Sequence, residues 1–467
     1  MIVFGTDGWR GLIARDFNFS NIQLVALATA RFLKKNTTSE TPSVVIGYDT
    51  RFLSKEFAQE TALVLAWQNI IVHLADNVSS TPQVSFHTKQ KNADLGIVIT
   101  ASHNPPIYNG YKVKASFGGP ATPEQIALLE KELKKITQRP PKFEFKSLEL
   151  YINNKKIRYF DAKEPFIRYI KKKIDIQAII DKKFKILYDP MFGAGINTLK
   201  DCLPDVDEIH SDYNPSFGNL DHPEPIQENL SELIEKVKSG GYDVGLATDG
   251  DADRLGAVDE EGNYIDPHRV FVILMKYLYE VKKKRGAVAK TVSLTSMVDK
   301  FCEKKGIKLF ETPVGFKHIA KLMNEEKILI GGEESGGLGT ILHIPERDGL
   351  FNGLLLLEVM AKRDKSLKEL SDELDEELGV HRFLRRDVRV TQQQKKTILS
   401  ACDKKPSKLG RFDVTNVKTI DGYKFFVENG WLLIRASGTE PLIRFYAEAD
   451  SVSKVNELLD EGLKLSK

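Results

Sequence analysis

Cysteine is scarce in this chain: three residues, Cys202, Cys302 and Cys402, spread over 467 positions with no CxxC pair. That excludes a zinc knuckle and a disulfide framework, and it suits a reducing, cytoplasmic setting. Net charge is also small, since 68 Lys and Arg against 65 Asp and Glu leave only +3. A balance so near neutral gives no electrostatic ground for nucleic acid or membrane as a partner. No apolar run approaches the roughly 20 residues of a membrane helix. The first residues, MIVFGTDGWR, show no basic leader before an apolar stretch, so no signal peptide is expected. A GxSxG elbow is missing too, which disfavours acyl-enzyme hydrolysis.

What is present describes a soluble, globular chain. Hydrophobic residues make up 41% and charged residues 28%, the ordinary globular balance. A chain of 467 residues is too long for one core, so several domains around a cleft are expected. Short β-branched runs alternate with helical patterns from Val44 to Ile330. Val44–Tyr48, Ile70–Leu74 and Leu95–Thr100 read as strands, with Ser54 capping a helix that runs to Gln68. Thr122-Pro-Glu-Gln125 has the form of a helix start: a Thr cap, Pro in the first turn and Gln three residues on. Further strands are expected at Phe184–Tyr188, Asp243–Thr248, Ala287–Leu294 and Ile328–Ile330.

This alternation predicts an α/β fold: three similar α/β mixed-sheet domains, followed by a smaller α+β C-terminal domain. The expected bounds are 1–145, 146–257, 258–370 and 371–467. In the last of these, two apolar strands around Arg435–Arg444 precede a final helix.

Four constellations carry chemistry. Thr100-Ala-Ser102-His103-Asn-Pro-Pro106 follows a buried strand, which delivers a hydroxyl to the crevice where open α/β sheets bind ligands. The prolines stiffen the turn; taken alone, a Ser-His pair in a loop is more often just a loop. Asp249-Gly-Asp251-Ala-Asp253-Arg254 sets carboxylates at every second residue of an extended loop. Three acids so close repel unless a cation lies between them, and an oxygen set of this kind suits Mg2+. An EF-hand is rejected because Arg254 stands where the loop needs Gly, and a strand precedes it where a helix should. Gly331-Gly-Glu333-Glu-Ser335-Gly-Gly337 offers an acid and a hydroxyl two residues apart for sugar hydroxyls. By itself it reads more readily as a solvated turn. Arg435-Ala-Ser437-Gly438-Thr439-Glu-Pro-Leu-Ile-Arg444 offers guanidiniums, hydroxyls and free amides for a phosphate.

The four motifs TASHNP, DGDADR, GEESGG and RASGTEP, in this order, resemble those of the α-D-phosphohexomutase family. The likeness runs from Phe4-Gly-Thr-Asp-Gly-Trp-Arg-Gly11 to Arg444. It implies four domains around a central cleft and phosphoryl transfer between two hydroxyls of a hexose through a phosphoserine. Ser102 then resembles the phosphorylated serine, itself a metal ligand with Asp249, Asp251 and Asp253, for one Mg2+ per chain. Arg254, Gly315, Lys317, Glu333, Ser335, His343 and Arg347 fall among substrate contacts. Arg435, Ser437, Gly438, Thr439 and Arg444 fall at the distal phosphate site. Arg10 and Lys112 line the cleft, and Lys112, His103 and His343 stay open as acid/base candidates. Arg347 is a poor proton shuttle because it keeps its charge.

Hexose phosphates are the implied partners, glucose 1,6-bisphosphate the implied activator, and a monomer or homodimer the implied state. GEESGG and Thr312-Pro-Val-Gly-Phe-Lys317 resemble glucose-type mutases, with Gly337 where some relatives carry histidine. The reading therefore favours phosphoglucomutase, with phosphomannomutase activity alongside. The alternatives are phosphoglucosamine mutase and a non-catalytic sugar-phosphate binder.

Overall fold

A computed structural model describes residues 2–5, 7–436 and 442–465. Four main sheets follow one another along the chain. In the first, parallel strands Leu95–Ile99, Ser43–Tyr48, Ile71–Ala75 and Ile157–Phe160 are flanked by antiparallel Tyr108–Ala115 and Trp9–Leu12. Ser43–Tyr48 and Leu95–Ile99 are buried on both faces because helices cover the sheet, which explains their near-continuous apolar runs. Ile157–Phe160 lies beyond the expected boundary at 145, and its ladder to Ile71–Ala75 assigns it to the first sheet. Likewise the boundary expected at 257 cuts strand Leu255–Asp259, which stays in the second sheet with Tyr264–Ile265.

The second sheet pairs Val244–Thr248 in parallel with Ile186–Asp189 and antiparallel with Leu255–Asp259, so residues 249–254 form a hairpin loop. The third runs Leu309–Thr312, Ala287–Thr291, Ile328–Gly332, Leu338–Thr340, and its last two strands hold the 333–337 loop. The fourth is antiparallel throughout, with Gly430–Ala436 between Leu442–Ala449 and Tyr423–Val427 and helix Val452–Lys464 at its face. The second and third units share one core, built around the almost wholly buried helix Gly349–Arg363. The first and fourth have cores of their own.

Local signals fare unevenly. Thr122 forms the full capping box with Gln125. Ser54 does not cap its helix: it is the first helical residue, and its hydroxyl donates to Asp49 Oδ1 at 2.7 Å. Cys202, Cys302 and Cys402 are free and buried. Among the described residues, no helix is long and apolar enough to cross a membrane.

Candidate active site

Ser102 leaves strand Leu95–Ile99 at its carboxyl end and takes a left-handed backbone, φ 54°. Its N–H donates to Thr100 Oγ1 at 2.8 Å. Its Oγ donates to Asp249 Oδ2 at 2.8 Å. The two loops meet at Gly250, where a Cβ would stand 2.5 Å from the Ser102 carbonyl oxygen. No side chain fits between these backbones.

The carboxylates of Asp249, Asp251 and Asp253 are buried, with ligand oxygens all within 4.8 Å of one another. They converge through a coiled turn, not the extended alternation expected. Ala252 is left-handed at φ 57°, and Asp249 Oδ1 accepts from the N–H groups of Asp253 and Arg254 at 2.9 and 3.1 Å. Asp251 Oδ1 and Asp253 Oδ1 are buried without a hydrogen-bond partner among the described residues. Orphaned, clustered, all-oxygen acceptors fit a hard divalent cation.

Burial, then the neighbouring Asp251 and Asp253 charges, pushes Asp249 well above the usual carboxylate range. Burial acts the same way on Asp251, but Lys112 and the Thr81 hydroxyl outweigh it and hold that acid low. Lys112 Nζ lies 2.7, 2.9 and 3.1 Å from Asp251, Asp7 and Asp253. Burial opposes its charge, yet the three acids raise its pKa. Lys112 is thus a fixed cation beside the serine. His103 Nδ1 is 3.4 Å from Ser102 Oγ, and burial, reinforced by Arg254, drives this imidazole far below its ordinary range.

Arg10 donates to Asn104 of the serine loop, and Arg254 is paired with Glu224. Arg347 ties three units together: it contacts Asp7, lies 2.7 Å from Asp253 and faces Glu333 at 3.6 Å. A Cβ at Gly337 would sit 2.4 Å from Arg347 Cδ, so Arg347 fills the space a histidine there would need. Glu333 Oε1 accepts the Gly315 N–H at 3.0 Å, and burial pushes its carboxyl up to about 7 against the pull of Arg347. Lys317 lies in the first turn of helix Phe316–Glu325, and Ser335 is half-buried in the 333–337 loop.

His343 corrects the expectation of a sugar contact. Its side chain is 0% exposed, sits 2.8 Å from Asp348 and stacks on Phe351 at 4.5 Å. With Tyr169 on another side, it is a packing residue of the shared core and has no route to act as the acid or base.

In the fourth unit Arg435 and Arg444 are register partners on adjacent strands. Arg435 Nε donates to Asp421 at 2.7 Å and Arg444 Nε to Asp387 at 3.3 Å. Ser437, Gly438 and Thr439 lie outside the described residues.

Asp7, Arg51, Thr81 and Glu224 belong to this site and escaped sequence reasoning. Asp7 neutralises Lys112, Lys114 and Arg347 together, and they outweigh burial to hold it well below the usual range. Arg51 had a legible signal, a charge at the carboxyl end of a buried strand, where open sheets place their sites. Thr81 and Glu224 had none, because the Asp251 and Arg254 they meet lie far away along the chain.

Comparison with known proteins agrees with this geometry. The chain matches all four units described as phosphoglucomutase/phosphomannomutase: alpha/beta/alpha domain I over 1–140, domain II over 164–262, domain III over 266–377, and the C-terminal domain over 387–465. It belongs to that family, the α-D-phosphohexomutases. The phosphoglucomutase/phosphomannomutase of Thermococcus kodakarensis is 32% identical, covering 99% of this chain and 98% of that protein. The phosphoglucosamine mutase of Methanocaldococcus jannaschii is 31% identical, covering 100% and 98%. The solved structure of a candidate phosphomannomutase from Thermus thermophilus has a TM-score of 0.87 at 34% identity, covering 99% of this chain and 98% of that one.

Proposed function

We propose that this phosphohexomutase interconverts a hexose 1-phosphate and its 6-phosphate through a phosphoserine at Ser102. The observation that carries the reading is the Ser102 hydroxyl held 2.8 Å from Asp249, at the edge of the three-carboxylate group. Asp249 accepts the serine's hydrogen bond and fixes where its oxygen points. Lys112, Arg254 and Arg10 supply positive charge around the reacting group, and Arg347 holds Glu333 in the sugar loop. Phosphoryl transfer relies on such placement and charge neutralisation more than on covalent help. Mg2+ on Asp249, Asp251, Asp253 and the Ser102 oxygen would neutralise phosphoryl oxygens when bound. After transfer the sugar carries two phosphates and turns end for end, with Arg435, Ser437, Gly438, Thr439 and Arg444 as the distal grip. A trace of glucose 1,6-bisphosphate would prime Ser102. Buried loops keep water from the phosphoserine. Serine and all three aspartates converge in one site, which supports catalysis over silent binding.

For the sugar, the loop wording favoured glucose, but the relatives' names support glucosamine phosphate at least as well, and it is the first substrate to test. The assay supplies Mg2+ and trace bisphosphate with glucosamine 6-phosphate, glucose 1-phosphate and mannose 1-phosphate in parallel. Turnover needing both additives is expected, with kcat/KM ranking the sugars. A folded, primed protein inert on all three overturns the mutase reading, and the higher kcat/KM decides between glucose and glucosamine.

A further inference from the structure

The seam between the third and fourth units contains a contact that reaches both ends of the substrate site. Strands Asn416–Lys418 and Tyr423–Val427 form a hairpin whose turn carries Asp421. Asp421 Oδ2 accepts the Arg435 Nε–H at 2.7 Å and, from the third unit, the Val314 backbone N–H at 3.0 Å. The next amide, Gly315 N–H, donates to Glu333 of the sugar loop at 3.0 Å. Two consecutive amides thus serve two different carboxylates, one the phosphate arginine's anchor and one in the sugar loop.

The turn cannot drift from the arginine it holds. Gly422 has φ 83°, and a Cβ there would stand 2.4 Å from the Ile434 carbonyl oxygen and 3.1 Å from Arg435 Cα. The hairpin is pinned on either side by Lys418 to Glu311 at 2.6 Å and by Lys424 Nζ to the Val292 carbonyl at 2.7 Å. With Nε committed to Asp421, the contact leaves out the two terminal nitrogens, the pair whose spacing matches two phosphate oxygens. An exposed ion pair would be worth little. Here one acceptor is shared with a backbone amide that no rotamer change can move, and the carboxylate is 23% exposed.

We propose that Asp421 is a positioning residue: it aims Arg435 at the substrate's distal phosphate and sets that aim relative to the sugar loop through Val314–Gly315. This rests on the mutase reading, in which Arg435 binds phosphate. The test is calorimetric affinity for glucose 6-phosphate and glucosamine 6-phosphate, with turnover measured separately. Asp421→Ala should raise Kd and KM about tenfold, some 1.4 kcal/mol, with kcat within about threefold. In an Arg435→Ala background the same substitution should add nothing, because Asp421 acts through that arginine. Asp421→Asn keeps the size and an acceptor for Val314 but loses the charge, and should fall between, so it carries the test if the alanine variant does not fold. Lys418→Ala removes one of the two pins without touching Arg435 or Asp421 and should raise Kd clearly less than Asp421→Ala does.

An unchanged Kd in Asp421→Ala, losses that multiply in the double variant, or an equal loss in Lys418→Ala would overturn the proposal. Wild type that binds both esters without turnover, with the Asp421 effect intact, would defeat the mutase reading alone. Wild type that binds neither would defeat both.

Discussion

Arg51→Lys tests whether the serine loop keeps its shape unaided. The Arg51 side chain is 0% exposed, and its Nε lies 3.2 Å from Asp49. Its Nη1 donates to the carbonyls of Pro105 and Tyr108 at 2.9 and 3.0 Å. Its Nη2 donates to those of Ser102 and Asn104, both at 2.6 Å. The guanidinium lies 4.8 Å over the Phe217 ring of the second unit. One planar cation therefore gathers four carbonyls that would otherwise point apart. A lysine ammonium is a single donor centre and reaches about two of them. Each buried carbonyl left unpaired costs about 1–3 kcal/mol, so with two of them lost about 2–6 kcal/mol of stability is at stake.

The loop can escape part of that cost by letting Ser102 relax from φ 54°, since a left-handed residue carries about 1–2 kcal/mol of strain. Relaxation moves Oγ away from Asp249. A displacement of about 1 Å costs about a hundredfold in rate. Arg51→Lys should therefore lower kcat about a hundredfold, with KM within about threefold because the phosphate grip lies in another unit. Steady-state kinetics on the preferred sugar, paired with thermal unfolding, reads both quantities. A lower Tm with wild-type kcat would refute the reasoning: the loop would then hold its geometry without the arginine.

Ser102→Ala should abolish turnover while sugar-phosphate affinity by calorimetry stays within about twofold; residual wild-type turnover would sink the phosphoserine. Gly250→Ala places a methyl 2.5 Å from the Ser102 carbonyl and should lower kcat about tenfold and Tm together; unchanged values would mean the loops separate freely. Glu333 titrates near 7 because burial raises it, above its unfolded value of about 4.3. Its stabilising contribution is therefore full below about pH 4.3 and lost as pH rises through about 7. The ionised form is the stronger acceptor for sugar hydroxyls, so KM should rise as pH falls below about 7, and Glu333→Gln should lose that dependence. Identical profiles for the two proteins would exclude Glu333 from the sugar site. Mg2+ at about a hundred times its Kd should stabilise the fold by about 2.7 kcal/mol, read as a rise in Tm. Asp251→Asn should abolish that rise, and a rise that persists would place the ion elsewhere.

Much was determined by the sequence alone, because its signals are local. The alternation of buried strands with helices needs only period and burial, so the α/β units and the smaller α+β fourth unit were legible from runs such as Val44–Tyr48 and the strands about Arg435–Arg444. The DGDADR loop was legible because three acids within five residues repel wherever they lie. Tertiary structure alone decided which residues from distant parts of the chain share one charge balance. Lys112 becomes a fixed cation because Asp7, Asp251 and Asp253 meet there from two units. His343 and His103 are chemically identical in sequence, yet stacking on Phe351 seals one away and the turn after a strand sets the other beside Ser102. The unit boundaries at 145 and 257 failed for the same reason: a strand belongs to the sheet that pairs its backbone, and partners lie far away along the chain. Chain order states which groups exist, and only packing sets the distances on which Coulomb energy and hydrogen bonding depend.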